Sequence, residues 1–190
     1  AKIPELERAE TARLLEMGVM GLQLPRTESG EQMATLHDYI KFPPQGSRAT
    51  ATGYGNTFYS KVADKAAWYQ QANAETLLIA HIETRKGVDD IDTIVTVDGV
   101  DICFVGAGDL SLSYGMPGNY NDPEFLRIVQ QVFDASAARN LVGGYVGIDP
   151  ESIKYWIDRG VQFFECVSDL DLIRTGAAKV VDQLQKLKKA

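Results

Sequence analysis

The stretch Leu77-Leu78-Ile79-Ala80-His81-Ile82-Glu83-Thr84 is a short apolar run that ends on a carboxylate. Its length and its aliphatic side chains are typical of a buried β-strand. A carboxylate at the C-terminal end of a parallel strand lies where α/β proteins bind their ligands. The run therefore predicts a strand with a functional residue at its end, although a helix cap or a solvated loop acid is the alternative interpretation of Glu83.

The same kind of run recurs along the chain and alternates with stretches of helical period. The other predicted strands are Met20–Leu24, Ile102–Val105, Leu141–Val146 and Phe163–Val167, with a weaker one around Arg48. The predicted helices are one from Pro4 to about Met17, one that opens on a capping box at Ser29 and runs to Ile40, two that begin at Asp122-Pro123 and Asp149-Pro150, and a last one to about Lys188.

Strands and helices that alternate without hairpin signals predict a parallel sheet, because parallel strands need crossover helices. About six βα units are expected in one domain spanning residues 1–190. Two architectures compete: an open, doubly wound sheet of six strands, and a (β/α)8 barrel, which needs eight units and ~250 residues. The number of units alone favours the open sheet.

Composition excludes several classes of protein. The net charge of −7 argues against a general binder of nucleic acid or anionic membranes, which needs basic surface. No apolar run approaches the ~20 residues of a membrane span, and the start Ala1-Lys2-Ile3-Pro4 does not resemble a signal peptide. Cys103 and Cys166 lie in apolar runs, which favours two buried free thiols over a disulfide or a catalytic thiol. A soluble cytoplasmic protein is expected.

Asp109 lies in a glycine-containing turn, Val105-Gly106-Ala107-Gly108-Asp109-Leu110-Ser111. The glycines let the backbone approach a ligand, and amides at the following helix start can bind a carboxylate. A plain helix cap is the other interpretation of Asp109. Glu83 and Asp109 are 26 residues apart, about one βα unit, so adjacent strand ends are expected to point them into one cavity. Two carboxylates, completed by waters and a chelating substrate, suit Mg²⁺ or Mn²⁺.

Two basic side chains join these candidates. Arg48 follows Phe42-Pro43-Pro44-Gln45-Gly46-Ser47, whose turn residues are expected to hold it rigidly. It can bind a carboxylate or a developing oxyanion, or lie on the surface as an ordinary arginine. His81 points to the same face as Glu83 by strand alternation. It can serve as a third metal ligand, a proton carrier or a hydrogen-bonded core group.

Taken in order, several segments resemble the HpcH/HpaI aldolase/citrate lyase family, which includes class II pyruvate aldolases. The resemblance covers nearly the whole chain. The segments that carry it are Gly18–Pro25, Phe42–Arg48, Ala72-Asn73, Ile82–Val88, Gly99–Asp101, Gly106–Ser111 and Gly115–Gly118.

The resemblance implies a (β/α)8 TIM barrel of the pyruvate/phosphoenolpyruvate superfamily. It implies a divalent-metal-dependent aldolase, a carbon–carbon lyase that makes or cleaves 4-hydroxy-2-oxo acids through a pyruvate enolate. The partners would be pyruvate or a similar 2-oxo acid and an aldehyde. The assembly would be a homo-oligomer, often a hexamer whose last helix exchanges between neighbours.

The resemblance also implies roles for particular residues. Glu83 and Asp109 would bind the metal, Mg²⁺ or Mn²⁺ with Co²⁺ as a further candidate. Arg48 would polarise the substrate carbonyl. Gly108 and Asp109 would receive the pyruvate carboxylate on their amides.

Three departures from the family pattern bear on catalysis. Members usually begin about two strands earlier, so this chain is expected to be the C-terminal three-quarters of the barrel, without the histidine assigned as base and its acidic partner. His81 stands where many members have glutamine, and either His81 or a metal-bound water is the substitute candidate for the base. Ala107 and Gly108 replace a commoner proline-containing turn. Two alternative functions stay open: an acyl-CoA lyase of the citrate lyase β-subunit type, and a non-catalytic fragment that binds a metal or an oxo acid.

Overall fold

Five parallel strands form one sheet in the computed structural model, which describes residues 1–147 and 149–187. They lie side by side in chain order, and each neighbouring pair is parallel. A sheet whose order never reverses is singly wound, because every right-handed crossover adds the next strand at the same edge. This is the strand order of a (β/α) barrel and excludes the doubly wound sheet. The strands are β1 (Gly21–Leu24), β2 (Leu77–Ile82), β3 (Ile102–Val105), β4 (Val142–Val146) and β5 (Val161–Glu165).

The two faces of the sheet have different neighbours. Leu78, Ala80 and Ile82 of β2 belong to the large core that the sheet forms with the helices. The alternate residues, such as Ile79 in β2 and Phe104 in β3, belong to a second cluster built from strand side chains alone. One face is therefore covered by helices while the other is lined by strands, as the inside of a barrel is. The predicted fold class is confirmed.

Most helices begin where the sequence places a cap. Ser29 and Gln32 form the predicted capping box, and Asp122 and Asp149 each cap a helix in front of a first-turn proline. The predicted end of the last helix at Lys188 lies outside the described residues. The helices are α1 (Arg8–Glu16), α2 (Gly30–Ile40), α3 (Lys65–Glu75), α4 (Arg85–Asp89), α5 (Ile91–Ile94), α6 (Ala107–Ser113), α7 (Pro123–Ala137), α8 (Pro150–Ile157) and α9 (Asp169–Leu187), with a 3₁₀ turn at Gly55–Thr57.

The first residues form a strand edge and not a helix start. The Ile3 N–H donates to the Gln23 carbonyl at 3.0 Å, and the Gln23 N–H donates to the Ala1 carbonyl at 2.8 Å. Residues 1–3 therefore lie parallel along the outer edge of β1. The first helix begins only at Arg8, so the start predicted at Pro4 is wrong.

The weak strand predicted around Arg48 is wrong as well. The Ser47 N–H donates to the Asp38 carbonyl at 2.8 Å, and the Arg48 N–H donates to the Lys41 carbonyl at 2.9 Å. These bonds fold the segment back onto the end of α2, so its amides are not available for a strand ladder. The observed sheet consequently has five strands where six βα units were expected.

Helix α9 extends away from the rest of the described chain. None of its described residues is buried. Its apolar stripe includes Val181, Leu184 and Leu187, which are 51%, 57% and 74% exposed. Helical stability in proteins comes mainly from packing an apolar face, and this face has no partner within the described residues. No helix of the described ranges, α9 included, has the length and apolar character of a membrane span.

The two thiols differ in environment. Cys103, in β3, is buried, and burial raises its pKa to about 11. Cys166 follows the end of β5 and is exposed. Both are free, so the prediction of buried free thiols is confirmed for Cys103 and wrong in its burial for Cys166.

Candidate active site

Glu83 follows β2 directly and is fixed at the carboxyl edge of the sheet. Only 4% of its surface is exposed. Its Oε1 accepts a hydrogen bond at 2.8 Å from the backbone N–H of Arg26, in the loop after β1. Its Oε2 lies 3.2 Å from Nε2 of His81. The neighbouring strand end therefore orients this carboxylate, which distinguishes it from a solvated loop acid.

Asp109 lies in the first turn of α6, immediately beyond the end of β3. The cap position of this helix is held by Gly106, so Asp109 is not the plain N-cap that the sequence left open. Its carboxylate is favoured there by the positive end of the helix dipole. Asp109 and Glu83 line the same pocket of about 490 Å³. The structure thus brings the two carboxylates to one cavity, as the spacing predicted.

Three basic side chains, Arg26, Arg85 and Lys86, also line this pocket. The Lys86 Nζ lies 3.4 Å from a Glu28 carboxylate oxygen, and the Arg26 guanidinium lies 3.8 Å from that carboxylate. The Arg85 guanidinium lies 4.2 Å from the ring centre of Tyr114. The carboxylates of Glu28, Glu83, Asp89 and Asp109 line the same pocket, so an anionic ligand there would need a bound cation as well as these bases. Arg85 and Lys86 lie two and three residues after the strand-end carboxylate Glu83, and this spacing could have identified them from the sequence.

His81 lies on the interior face next to Glu83. Both ring nitrogens are buried and lack a hydrogen bond to any described residue; the 3.2 Å approach of Nε2 to Glu83 does not have hydrogen-bond geometry. Burial, assisted by the positive charge of Lys2, lowers the pKa of His81 to about 4, so the imidazole is neutral at pH 7. Gly106 provides the necessary space, since a Cβ there would lie 2.3 Å from Nε2 of His81 and 2.9 Å from Cβ of Glu83.

Lys2 is an exposed residue on the strand-lined face of the sheet that sequence reasoning missed. It pairs with Gln23 of β1, and Gln23 pairs with Ile79, which belongs to the strand-lined cluster. Directly paired residues point to the same face of a sheet, so Lys2 points inwards, and its charge acts on His81. No local signal marks this position, because the pairing of residues 1–3 with β1 is a long-range contact.

Arg48 does not lie at this site. It lines a separate cleft together with Met20 and Thr76, which immediately precede β1 and β2. Strand β2 has six residues, so at ~3.3 Å per residue its two ends are ~20 Å apart. The expectation that Arg48 polarises the substrate carbonyl is corrected, because this arginine lies at the amino ends of the strands and the carboxylates lie at the carboxyl ends.

The donor atoms of the carboxylate pocket suit a hard divalent cation. Glu83 and Asp109 offer carboxylate oxygens, which Mg²⁺ and Mn²⁺ prefer. Among the described residues, no group of three His, Cys, Asp or Glu side chains comes together as a metal site. A cation here would take two protein carboxylates and complete its coordination with oxygens of ligand and water.

A sheet covered by helices on one face, with a polar pocket at its carboxyl edge, places the chain among the (β/α)-barrel enzymes, whose active sites lie at that edge. The sequence pattern of the HpcH/HpaI aldolase/citrate lyase family matches residues 2–175, and the chain belongs to this family. It is accordingly a lyase of the aldolase type, as the resemblance predicted.

Relatives and solved structures agree with this placement. The 5-keto-4-deoxy-D-glucarate aldolase of Enterobacter sp. (strain 638) is 29% identical over 185 residues, which are 97% of this chain and 71% of the relative. An HpcH/HpaI aldolase from Desulfitobacterium hafniense DCB-2 gives a TM-score of 0.89 at 31% identity, over 97% of this chain and 71% of that chain. The citrate synthase SbnG gives 0.83 at 26% identity, over 98% and 72%. Proteins named as aldolases and a protein named as a citrate synthase share this fold. The fold alone therefore does not identify the substrate, which has to be inferred from the residues of the site.

Proposed function

We propose that this aldolase makes or cleaves 4-hydroxy-2-oxo acids, with pyruvate or a similar 2-oxo acid and an aldehyde as its partners. The observation that carries the proposal is the meeting of Glu83 and Asp109 in one pocket, with Glu83 buried and oriented by the Arg26 N–H. The relatives named 5-keto-4-deoxy-D-glucarate aldolase support this substrate class. The three basic residues of the pocket, together with a bound cation, suit a carboxylate-bearing substrate.

Glu83 and Asp109 are the proposed ligands of Mg²⁺ or Mn²⁺, with Co²⁺ as a further candidate. A divalent cation bound there would act as a Lewis acid and make the methyl protons of a 2-oxo acid more acidic. Glu83 suits this role because its orientation is already fixed before a cation binds. Asp109 is exposed and can turn towards a ligand in the pocket.

The backbone N–H groups of Gly108 and Asp109, at the start of α6, are proposed to receive the substrate carboxylate. Nothing lies within 4 Å of a Cβ built on Gly108, so a ligand can approach this backbone closely. Lys2 is proposed to supply the positive charge that was expected of Arg48. It is exposed and does not line the pocket of Glu83 and Asp109, but it lies on the strand-lined face, where its charge already acts on His81. From there it is proposed to stabilise a developing oxyanion.

His81 is proposed to position Glu83 and not to act as the base. An efficient general base at neutral pH has a pKa near 7, whereas the pKa of His81 is about 4. Its ring contacts the Glu83 carboxylate at 3.2 Å and is confined by Gly106. Because the neutral ring carries no positive charge, it packs against the Glu83 carboxylate and leaves the negative charge of that carboxylate available to a cation.

Residues 1–190 are proposed as one domain that supplies about three-quarters of a (β/α)8 barrel, in line with the 71% of the relative that the chain covers. We further propose a cytoplasmic homo-oligomer, with a hexamer as the state implied by the family resemblance. The exposed apolar stripe of α9 supports association, because contiguous exposed apolar surface marks interaction sites.

Two other functions have weaker support. The citrate lyase structures that resemble the chain are 12% and 16% identical to it, a level at which the likeness shows the fold alone. They therefore give the acyl-CoA lyase no argument of its own. A non-catalytic protein that binds a metal or an oxo acid would keep the pocket but would not turn over a 2-oxo acid.

Pyruvate release from 5-keto-4-deoxy-D-glucarate, measured with and without Mn²⁺, tests the proposal. We expect metal-dependent release that is lost in Glu83→Gln and kept in Glu124→Gln, a matched change of an exposed glutamate on α7. No release by folded protein shown to bind Mn²⁺, with this substrate and with other 4-hydroxy-2-oxo acids, would favour the non-catalytic alternative.

A further inference from the structure

A second cleft lies at the amino ends of β1 and β2, at the opposite end of the sheet from the carboxylate pocket. Its volume is about 970 Å³, which is within the range of small-molecule sites. Its walls come from the end of α1, from α3 and from the loop between α2 and α3. They include the aromatic side chains of Phe58, Tyr59 and Trp68. The proposed aldolase reaction uses none of these residues.

Arg48 brings a buried positive charge to this cleft. The residue is only 9% exposed, and its guanidinium lies 4.4 Å from the ring centre of Phe42. In the described part of the chain it takes part in no ion pair. The side-chain hydrogen bonds of this segment belong to Ser47 and Thr50 instead. Burial lowers the pKa of Arg48 to about 10, and Glu16 opposes this only through its more distant charge. Buried charges are normally paired or hydrogen-bonded. Arg48 is therefore unusual, because no counter-charge lies within ion-pair distance of it in the described part of the chain.

A second buried cation, Lys41, lies close enough to Arg48 for their charges to interact, although it does not line the cleft. Lys41 is 5% exposed, and its Nζ donates to the carbonyls of Asn73 and Thr76 at 2.6 and 2.7 Å. These carbonyls hold the ammonium in place but do not neutralise it. Its pKa is lowered by burial, raised by the negative charge of Asp101 and lowered again by repulsion from Arg48.

The acidic residues that line the cleft do not pair with Arg48. Asp64 accepts a hydrogen bond from the Ala67 N–H at 3.0 Å, as the N-cap of α3. Glu75 accepts one from the Gln71 side chain at 2.8 Å. Neither forms an ion pair with Arg48, so the counter-charge would come from a bound molecule.

We propose that this cleft binds a small organic anion with an apolar body, whose carboxylate or phosphate group pairs with the Arg48 guanidinium. Arginine suits this role because its planar fork binds such groups through two parallel hydrogen bonds. Phe58 and Tyr59 have left-handed backbones, with φ of 50° and 59°, and their side chains are 90% and 80% exposed. Bulky residues rarely adopt this conformation, which here leaves aromatic surface at the cleft for the apolar body of the ligand.

Trp68 provides the test, because it lines the cleft and is one of only two tryptophans. The other, Trp156, is 2% exposed in the core, so Trp156→Phe leaves a single reporter. Octanoate and octan-1-ol are the probes, since they share a chain and differ in charge, and octyl phosphate compares the two anionic groups. In the Trp156→Phe protein we expect a saturable fluorescence change with an anion. Binding should be at least tenfold weaker for octan-1-ol and for Arg48→Met, and unchanged in Glu83→Gln.

Stability without any ligand gives a second test. Removing a buried charge that has no counter-charge should leave the urea midpoint of Arg48→Met equal to or above that of the parent protein, because the cost of burying the charge outweighs its contact with the Phe42 ring. A lower midpoint would show that the charge stabilises the fold and would overturn the proposal. Equal binding of octanoate and octan-1-ol would overturn it too. So would a change of sedimentation in Arg48→Met without any octanoate binding, because the cleft would then be an interface between copies of the chain.

Discussion

Replacing Gly106 with alanine tests how tightly the site residues are packed. The new Cβ would lie 2.3 Å from Nε2 of His81 and 2.9 Å from Cβ of Glu83, so at least one of them must move. His81 has little room to do so, because it is 5% exposed and its ring packs edge-on against Phe104 with the centroids 5.0 Å apart. Overpacking of this kind costs ~1–3 kcal/mol. We expect a loss of about 2–3 kcal/mol in the free energy of unfolding, because two neighbours are affected.

Gly108→Ala is the matched control, two residues further along the same turn. A Cβ there meets no atom within 4 Å. Alanine is favoured over glycine within a helix by up to ~1 kcal/mol, so the stability of this variant should be equal or slightly higher. Urea unfolding followed by circular dichroism measures both variants, and Mn²⁺ titration calorimetry reports on the displacement of Glu83. Equal stability of the two variants, or wild-type Mn²⁺ affinity in Gly106→Ala, would refute the reasoning.

Acid stability, helix α9 and Lys2 each provide a further test. The pKa of His81 is about 4 in the folded state instead of 6.5. The stability that this difference gives to the folded protein is therefore fully present above pH 6.5 and is lost as the pH falls towards 4. At ~1.36 kcal/mol per pH unit the loss amounts to about 3 kcal/mol of unfolding free energy. The urea midpoint of His81→Gln should therefore fall less between pH 6.5 and 4 than the midpoint of the wild type. Parallel profiles for the two proteins would contradict the low pKa assigned to His81. In α9, Leu184→Asp should reduce the size of the assembly in analytical ultracentrifugation, whereas Thr175→Asp, with the same charge change at an exposed polar position, should not; no difference between them would argue against the apolar stripe as an interface. Lys2→Met should lower kcat for pyruvate release by ~10²-fold or more, which is the size of a lost oxyanion contact. Lys2→Arg keeps the positive charge and should retain most of the wild-type kcat. An unchanged kcat in Lys2→Met would show that Lys2 takes no part in the reaction.

Strand positions and strand-end residues were predictable because their signals are local. The runs Leu77–Ile82 and Ile102–Val105 form strands with the predicted bounds. In a parallel sheet, consecutive strand ends meet at one edge, so the 26-residue spacing of Glu83 and Asp109 was enough to predict a shared cavity.

Long-range hydrogen bonds explain what could not be predicted. The turn before Arg48 was identified, but its direction is set by bonds to the end of α2, which place the arginine at the opposite end of the sheet. The inward position of Lys2 depends on pairing with Gln23, twenty-one residues later. The neutral state of His81 depends on burial, which the residue type alone does not reveal.

Exchange of the methyl protons of pyruvate in deuterated buffer, followed by NMR with and without Mg²⁺, tests most directly whether Glu83 and Asp109 form a metal-dependent site that activates a 2-oxo acid. The account predicts exchange that requires Mg²⁺ and disappears in both Glu83→Gln and Asp109→Asn. No exchange by folded protein shown to bind Mg²⁺, or exchange that persists in both variants, would contradict it.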